Sequence, residues 1–285
     1  MKLITFLQDQ TERVGVLTSE ETAVLPLPYT NMLELIEKAD QLKEAAAAAE
    51  AAGNSIPLSG VTLLAPIPRP GHDVICLGVN YKDHAKEAKR YDSEVKDEYP
   101  APVYFSKRVT EAVAPDGFIE SHPGLVERLD YEAELAVIIG KTAKNVKAAN
   151  AADYIFGYTV LNDVSARRLQ NLHTQWFFGK SLDGFTPMGP CITTADEIAF
   201  PPALGITCSV NGELRQNAVT DQLIHRIASI IEGLSAGITL QPGTIIATGT
   251  PAGVGNAFVP PRLLKSGDVV ECTIEGIGTL RNTVR

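Results

Sequence analysis

The chain is poor in cysteine, with four in 285 residues, and no two of them form a CxxC pair. Cys76, Cys191, Cys208 and Cys272 lie far apart, a spacing that gives neither a zinc ribbon nor a disulfide framework. They read as four small, reduced core side chains. Long apolar runs are also lacking. None approaches the roughly 20 residues of a membrane-spanning helix, and the apolar stretch in MKLITFLQDQ is too short for a signal peptide. The expectation is a cytoplasmic protein with no membrane contact. A basic surplus is missing too: 25 lysines and arginines stand against 34 acidic residues, for a net charge of −9. Sequence-independent phosphate binding needs the opposite balance, so nucleic acid is excluded as a partner. Neither GxGxxG nor GxxxxGK[ST] can be drawn through the glycines, which removes the dinucleotide and P-loop classes.

The 45% of apolar residues is ordinary for a globular protein, and the length suits one or two domains. Short strands (LITFL, RVGVLT, TAVLPL) open the chain. A helix follows over TNMLELIEKADQLKEAAAAAEAAG, with Thr30 or Asn31 as N-cap and Gly53 as its stop. Its alanine-rich second half has propensity but little to pack, so it reads as a surface helix. NSIPLSGVTLLAPIPRPGHD then carries four prolines and reads as a linker. The expected organisation is a small N-terminal α+β unit over 1–66 and a larger one over 67–285. In the larger part short strands dominate, with hairpin cues at Asn211-Gly212 and Glu275-Gly276. No strand–helix–strand rhythm runs through it, so the fold class is α+β, mainly β.

Four groups of residues can carry chemistry. In LDYEAELAVIIG, Glu132 and Glu134 alternate with Ala133, so a strand points both carboxylates the same way. Side by side they repel, and a hard divalent cation would resolve the repulsion. The pattern alone fits a solvated strand face equally well. Asp163 ends the apolar run YIFGYTVLND, where a strand tip delivers a third oxygen ligand, although the same residue also suits a helix N-cap for VSARRLQ. His84 and Glu87 are three apart on a helical stretch and can hydrogen-bond, as a general base and its orienting carboxylate do. By spacing alone they also fit an exposed, charged helix face. After Asp163 come Arg167, Arg168, Gln170 and Lys180, donors suited to an anionic substrate or a developing oxyanion. The stretch from Asn171 to Pro190 reads as a functional loop. Last, the glycine-rich segment after TIIAT brings Thr250 and backbone N–H groups suited to one end of a carboxylate.

Taken in order, these residues resemble the fumarylacetoacetate hydrolase family. The resemblance rests on Asn80-Tyr81 with His84 and Glu87, Phe105-Ser106-Lys107, Glu132-Ala133-Glu134, Asn162-Asp163-Val164-Ser165-Ala166-Arg167 with Gln170, Gly179-Lys180-Ser181-Leu182-Asp183, and Thr248-Gly249-Thr250-Pro251-Ala252-Gly253-Val254. It runs over about 72–285. It implies a β-roll or sandwich catalytic domain, usually in a homodimer, with Mg²⁺ or Mn²⁺ (Ca²⁺ in crystals) on Glu132, Glu134 and Asp163. It implies His84, Glu87 and Lys180 as catalytic groups and Asn80, Tyr81, Lys107, Arg167, Gln170 and Thr250 around the substrate, with a lid over 81–99. The substrates it implies are 2-oxo or 2,4-dioxo acids. Hydrolysis of a C–C bond in an acylpyruvate-type diacid is the leading expectation, with oxaloacetate-type decarboxylation and 2-hydroxyhepta-2,4-diene-1,7-dioate isomerisation as alternatives. An inactive metal-binding relative would have no need of the full set. Two positions depart from the family pattern: Arg108 replaces a usual proline, and Arg168 a common aspartate. Arg108 is expected to read a distal carboxylate.

Overall fold

A computed structural model describes residues 1–89 and 100–285. Strands dominate, and most belong to two sheets. At the centre of the larger sheet the strand Ala133–Ile139 is buried at every position. An unbroken apolar run of this kind suits a strand covered on both faces. Alternation divides its side chains. Leu135, Val137 and Ile139 join a core shared with Ile206, Cys208, Cys272 and Leu280 of the second sheet, while Ala136 and Ile138 face Met32, Leu35 and Ile36.

The neighbours of this strand set up the site. The strand Ile155–Asn162 pairs with it antiparallel, with Ala133 opposite Asn162, and so brings Asp163 beside Glu132. On its other side the strand Ile245–Ala247 leads directly into Thr248-Gly249-Thr250. The strand Val74–Gly78 runs parallel to Ile245–Ala247, so Gly78 and Thr248 leave the sheet at the same edge. The strand Val103–Lys107 closes that side, with Lys107 opposite Val74. The second sheet has five strands, Glu213–Val219, Gly205–Val210, Val269–Ile274, Gly278–Val284 and Phe118–Ile119. Its first hairpin turns at Asn211-Gly212, both with positive φ (53° and 78°), as a two-residue turn of the mirror-image type needs.

The N-terminal helix is two helices. Asn31 caps Met32–Glu37 by accepting the Glu34 N–H at 3.0 Å, a 3₁₀ turn at Ala39–Gln41 intervenes, and Leu42–Ala52 ends at Gly53 with φ 65°. Sheet pairing crosses the boundary expected at residue 66, because the strand Lys2–Gln8 pairs with Met188–Thr194. All four cysteines are buried and free. Among the described residues, no helix is long and apolar enough to cross a membrane.

Candidate active site

Glu132, Glu134 and Asp163 each place a carboxylate oxygen within 4.8 Å of the other two, and all three side chains are buried. The backbone makes this cluster. Glu132 immediately precedes its strand, and its carbonyl accepts the Asp163 N–H at 2.8 Å. Its own N–H donates to Asn162 Oδ1 at 3.0 Å. Asp163 does not cap the following helix, Arg167–Leu172, whose N-cap is Ala166 with no side-chain bond. The helix alternative for Asp163 therefore gives way to the cluster.

Cations surround the triad. Lys180 Nζ bridges Glu132 Oε2 and Asp163 Oδ2, at 2.7 Å each. Arg167 lies 2.6 Å from Glu132 Oε1. Lys107 Nζ donates to Asp163 Oδ1 at 2.6 Å and to the carbonyls of Val164 (3.2 Å) and Lys180 (2.5 Å). Burial raises the pKa of Glu132, but Arg167, Lys180 and His84 reverse this and hold it below the usual carboxylate range. Burial lowers that of Lys180, but Asp163 and Glu132 outweigh it and keep the ammonium charged. Glu134 differs. It accepts the Gly249 N–H at 2.8 Å, yet burial, then Asp163 and Glu132, push its carboxyl well above the usual range.

Counted with Glu134 ionised, as it would be on an ion, the three acids and Asp130 make four buried carboxylates against the three buried cations Lys107, Arg167 and Lys180, which leaves one negative charge. An all-oxygen donor set with surplus negative charge fits a hard divalent cation such as Mg²⁺ or Mn²⁺. Such an ion would relieve the repulsion that opposes ionisation of Glu134.

His84 and Glu87 share a face of the helix Lys82–Ala88, and His84 Nδ1 lies 3.0 Å from Glu87 Oε1. The pair is not a solvated face: His84 is 5% exposed. Glu87 is held in turn by the Gly253 N–H, 3.0 Å from both its oxygens. Gly253 has φ +105°, and a Cβ there would lie 1.9 Å from the Arg215 carbonyl oxygen, so only glycine presents its N–H in this way. His84 lines one small cavity of about 50 Å³ with Glu132, Glu134, Lys180, Arg167, Gln170 and Thr250. Phe105 and Trp176 form its aromatic wall, ring centroids 5.3 Å apart.

Other expected residues fall elsewhere. The Asn80 carboxamide is taken up by the backbone: it donates to His225 O and Thr248 O and accepts the His225 N–H. Tyr81 is buried and does not line the triad's cavity. Thr250 lines it, but its hydroxyl donates to Ala133 O and accepts from Gln216. Arg108 points away, as the residue after the inward Lys107 must, and pairs with Asp73 at 2.5 Å. Its expected reading of a distal carboxylate therefore has no geometric basis. Arg168 makes an exposed pair with Glu127. The stretch after Asn171 contains a short helix, Phe177–Lys180, which delivers Lys180. Of the lid expected over 81–99, residues 90–99 lie outside the described residues.

Residues 73–285 match the model of the fumarylacetoacetate (FAA) hydrolase C-terminal domain. The chain belongs to the fumarylacetoacetate hydrolase family. It is 45% identical over 227 residues to the oxaloacetate tautomerase YisK of Bacillus subtilis, a match covering 80% of this chain and 74% of that one. The fumarylacetoacetate hydrolase of the psychrophile Exiguobacterium antarcticum superposes with a TM-score of 0.86 at 40% identity, over 100% of this chain and 99% of that one. Maleylpyruvate hydrolase from Sphingobium sp. SYK-6, in complex with manganese(II) and pyruvate, superposes with a TM-score of 0.79 at 32% identity, over 100% and 98%. The fold expected from the sequence, mainly β within an α+β class, is the fold of this family.

Proposed function

We propose that this protein is a divalent-metal-dependent enzyme that moves a proton at C3 of a small 2-oxo diacid, interconverting the keto and enol forms of an oxaloacetate-like substrate. The observation that carries this reading is the place of His84, buried in the small cavity that Glu132 and Glu134 of the triad line, and oriented by Glu87. With Glu87 accepting at Nδ1, Nε2 is the base that takes the proton from C3 and delivers it to the 2-oxo oxygen as the enol forms, and carries it the other way as the keto form returns. A divalent ion on Glu132, Glu134 and Asp163 would supply Lewis acidity to the 2-oxo oxygen and the adjacent carboxylate. Lys180 adds a buried positive charge beside the atoms where negative charge develops. Gln170 offers an amide from the same wall, and Phe105 and Trp176 exclude water. The 45% identity to an oxaloacetate tautomerase supports the same reaction.

The sequence alone leads to C–C hydrolysis, and this stays as the second reading because the maleylpyruvate hydrolase relative matches across the whole chain. There the His84–Glu87 pair would activate water instead. Absorbance of the enol, followed with and without protein in Mn²⁺, separates the two when acylpyruvates are assayed in parallel for pyruvate. The tautomerase reading expects rapid loss of enol absorbance with no pyruvate, and a kcat lower by about 10²–10⁴ in His84→Ala. Pyruvate release from an acylpyruvate with no effect on the enol refutes it.

A further inference from the structure

Asp130 stands two positions before Glu132 and is fully buried, yet it is not among the carboxylates that can share one ion. Four donors fill its two oxygens. Oδ1 accepts the N–H groups of Tyr131 (3.0 Å) and Gly255 (2.7 Å), and Oδ2 accepts Arg167 Nε (2.9 Å) and the Asn256 N–H (2.9 Å). At Gly255 a Cβ would come within 2.6 Å of Oδ1, so the loop can approach this closely only as glycine. A carboxylate engaged in this way has nothing left for a substrate. It acts on Arg167, whose guanidinium continues to Glu132 Oε1.

We propose that Asp130 is a positioning residue for the triad: it fixes Arg167 against Glu132 and cancels the guanidinium charge, so that the cluster keeps the net negative charge a divalent cation requires. This rests on the reading that Glu132, Glu134 and Asp163 hold such an ion, and not on which oxo acid the enzyme transforms. Charge counting gives an ordering. With Glu134 ionised, as binding of the ion requires, the native set of four carboxylates and three cations carries one negative charge. Asp130→Asn brings it to zero, Arg167→Gln brings it to two negative charges, and the double substitution restores one. Carboxylates and amides that support metal ligands typically change affinity by about 10–100-fold when altered.

The test is Mn²⁺ titration of the full chain, with free Mn²⁺ read from its electron paramagnetic resonance spectrum. Asp130→Asn is expected to weaken binding by about 10–100-fold, Arg167→Gln to tighten it, and the double variant to return close to wild type. Damage to packing cannot produce that recovery, since a second substitution would only add to it. Asp130→Asn binding as tightly as wild type, or a double variant as weak as the single, overturns the proposal. If Asp130→Asn does not fold, Arg167→Gln decides alone, and binding no tighter than wild type overturns it. A wild type that binds Mn²⁺ but leaves enol oxaloacetate untouched refutes the tautomerase reading and not this one. A wild type that binds no Mn²⁺ overturns both.

Discussion

Replacing Lys107 with methionine removes one interior cation and nearly preserves the volume. The Lys107 side chain is wholly buried, and its ammonium donates to Asp163 and to the carbonyls of Val164 and Lys180. None of these acceptors can turn to bulk water. Removing one partner of a buried ion pair costs about 3–5 kcal/mol, because the other charge stays behind. Lys180 still reaches Asp163 and softens that loss. The two carbonyls lose a donor at roughly 1 kcal/mol each and work in the other direction. A net loss of about 3–5 kcal/mol in a chain of this size lowers Tm by roughly 6–10 °C, at about 2 °C per kcal/mol. Calorimetry in EDTA is the assay, since a bound cation would otherwise compensate Asp163. A Lys107→Met protein that melts within about 1 °C of wild type (under 1 kcal/mol) while KM for the oxo acid rises tenfold would refute this reasoning. Lys107 would then bind substrate.

Three further outcomes are expected. EDTA should abolish turnover and Mg²⁺ or Mn²⁺ should restore it; full activity after chelation would remove the triad from the reaction. Gly253→Ala places a methyl group against the Arg215 carbonyl and withdraws the N–H that holds Glu87, so kcat should fall by about 10²-fold or more with Mn²⁺ affinity retained; an unchanged kcat would show that Glu87 needs no anchor. Arg108→Ala should leave the kcat/KM ratio between a diacid and its neutral-tailed analogue unchanged, because Arg108 faces Asp73; a collapse of that ratio would return it to the substrate.

Much of the fold is legible because local signals agree with tertiary ones. Asn31 caps Met32–Glu37, Gly53 ends Leu42–Ala52, Asn211-Gly212 turns a hairpin, and the alternation in EAELAVII reads as a strand. What composition hides is how the opening strands are used. LITFL looks like part of a separate unit, but the hydrogen bonds that join it to Met188–Thr194 are made by backbone, which carries no sequence signature. The break at Ala39–Gln41 is hidden for a related reason, since the helix propensity of the flanking alanines and glutamates is high throughout.

In the site, alternation is both the strongest signal and the source of the errors. It places Glu132 and Glu134 on one face, and it places Arg108 opposite Lys107, a consequence that reading Arg108 as a substrate ligand ignores. Asp130 has the same parity as the two glutamates and so carried the same signal. Parity cannot separate a metal ligand from its support, because both must face inward. The distinction comes from what fills each carboxylate. The Gly255 and Asn256 N–H groups that saturate Asp130 arrive from 125 and 126 residues away, as does Gly249, 115 residues away, for Glu134. A carboxylate that meets four donors is spent as structure, whereas one that meets a single backbone N–H beside two other acids is left in want of a cation. On the reading proposed above, that difference in saturation, set by long-range backbone placement, is what separates Glu134, a ligand for the ion, from Asp130, part of the frame around it.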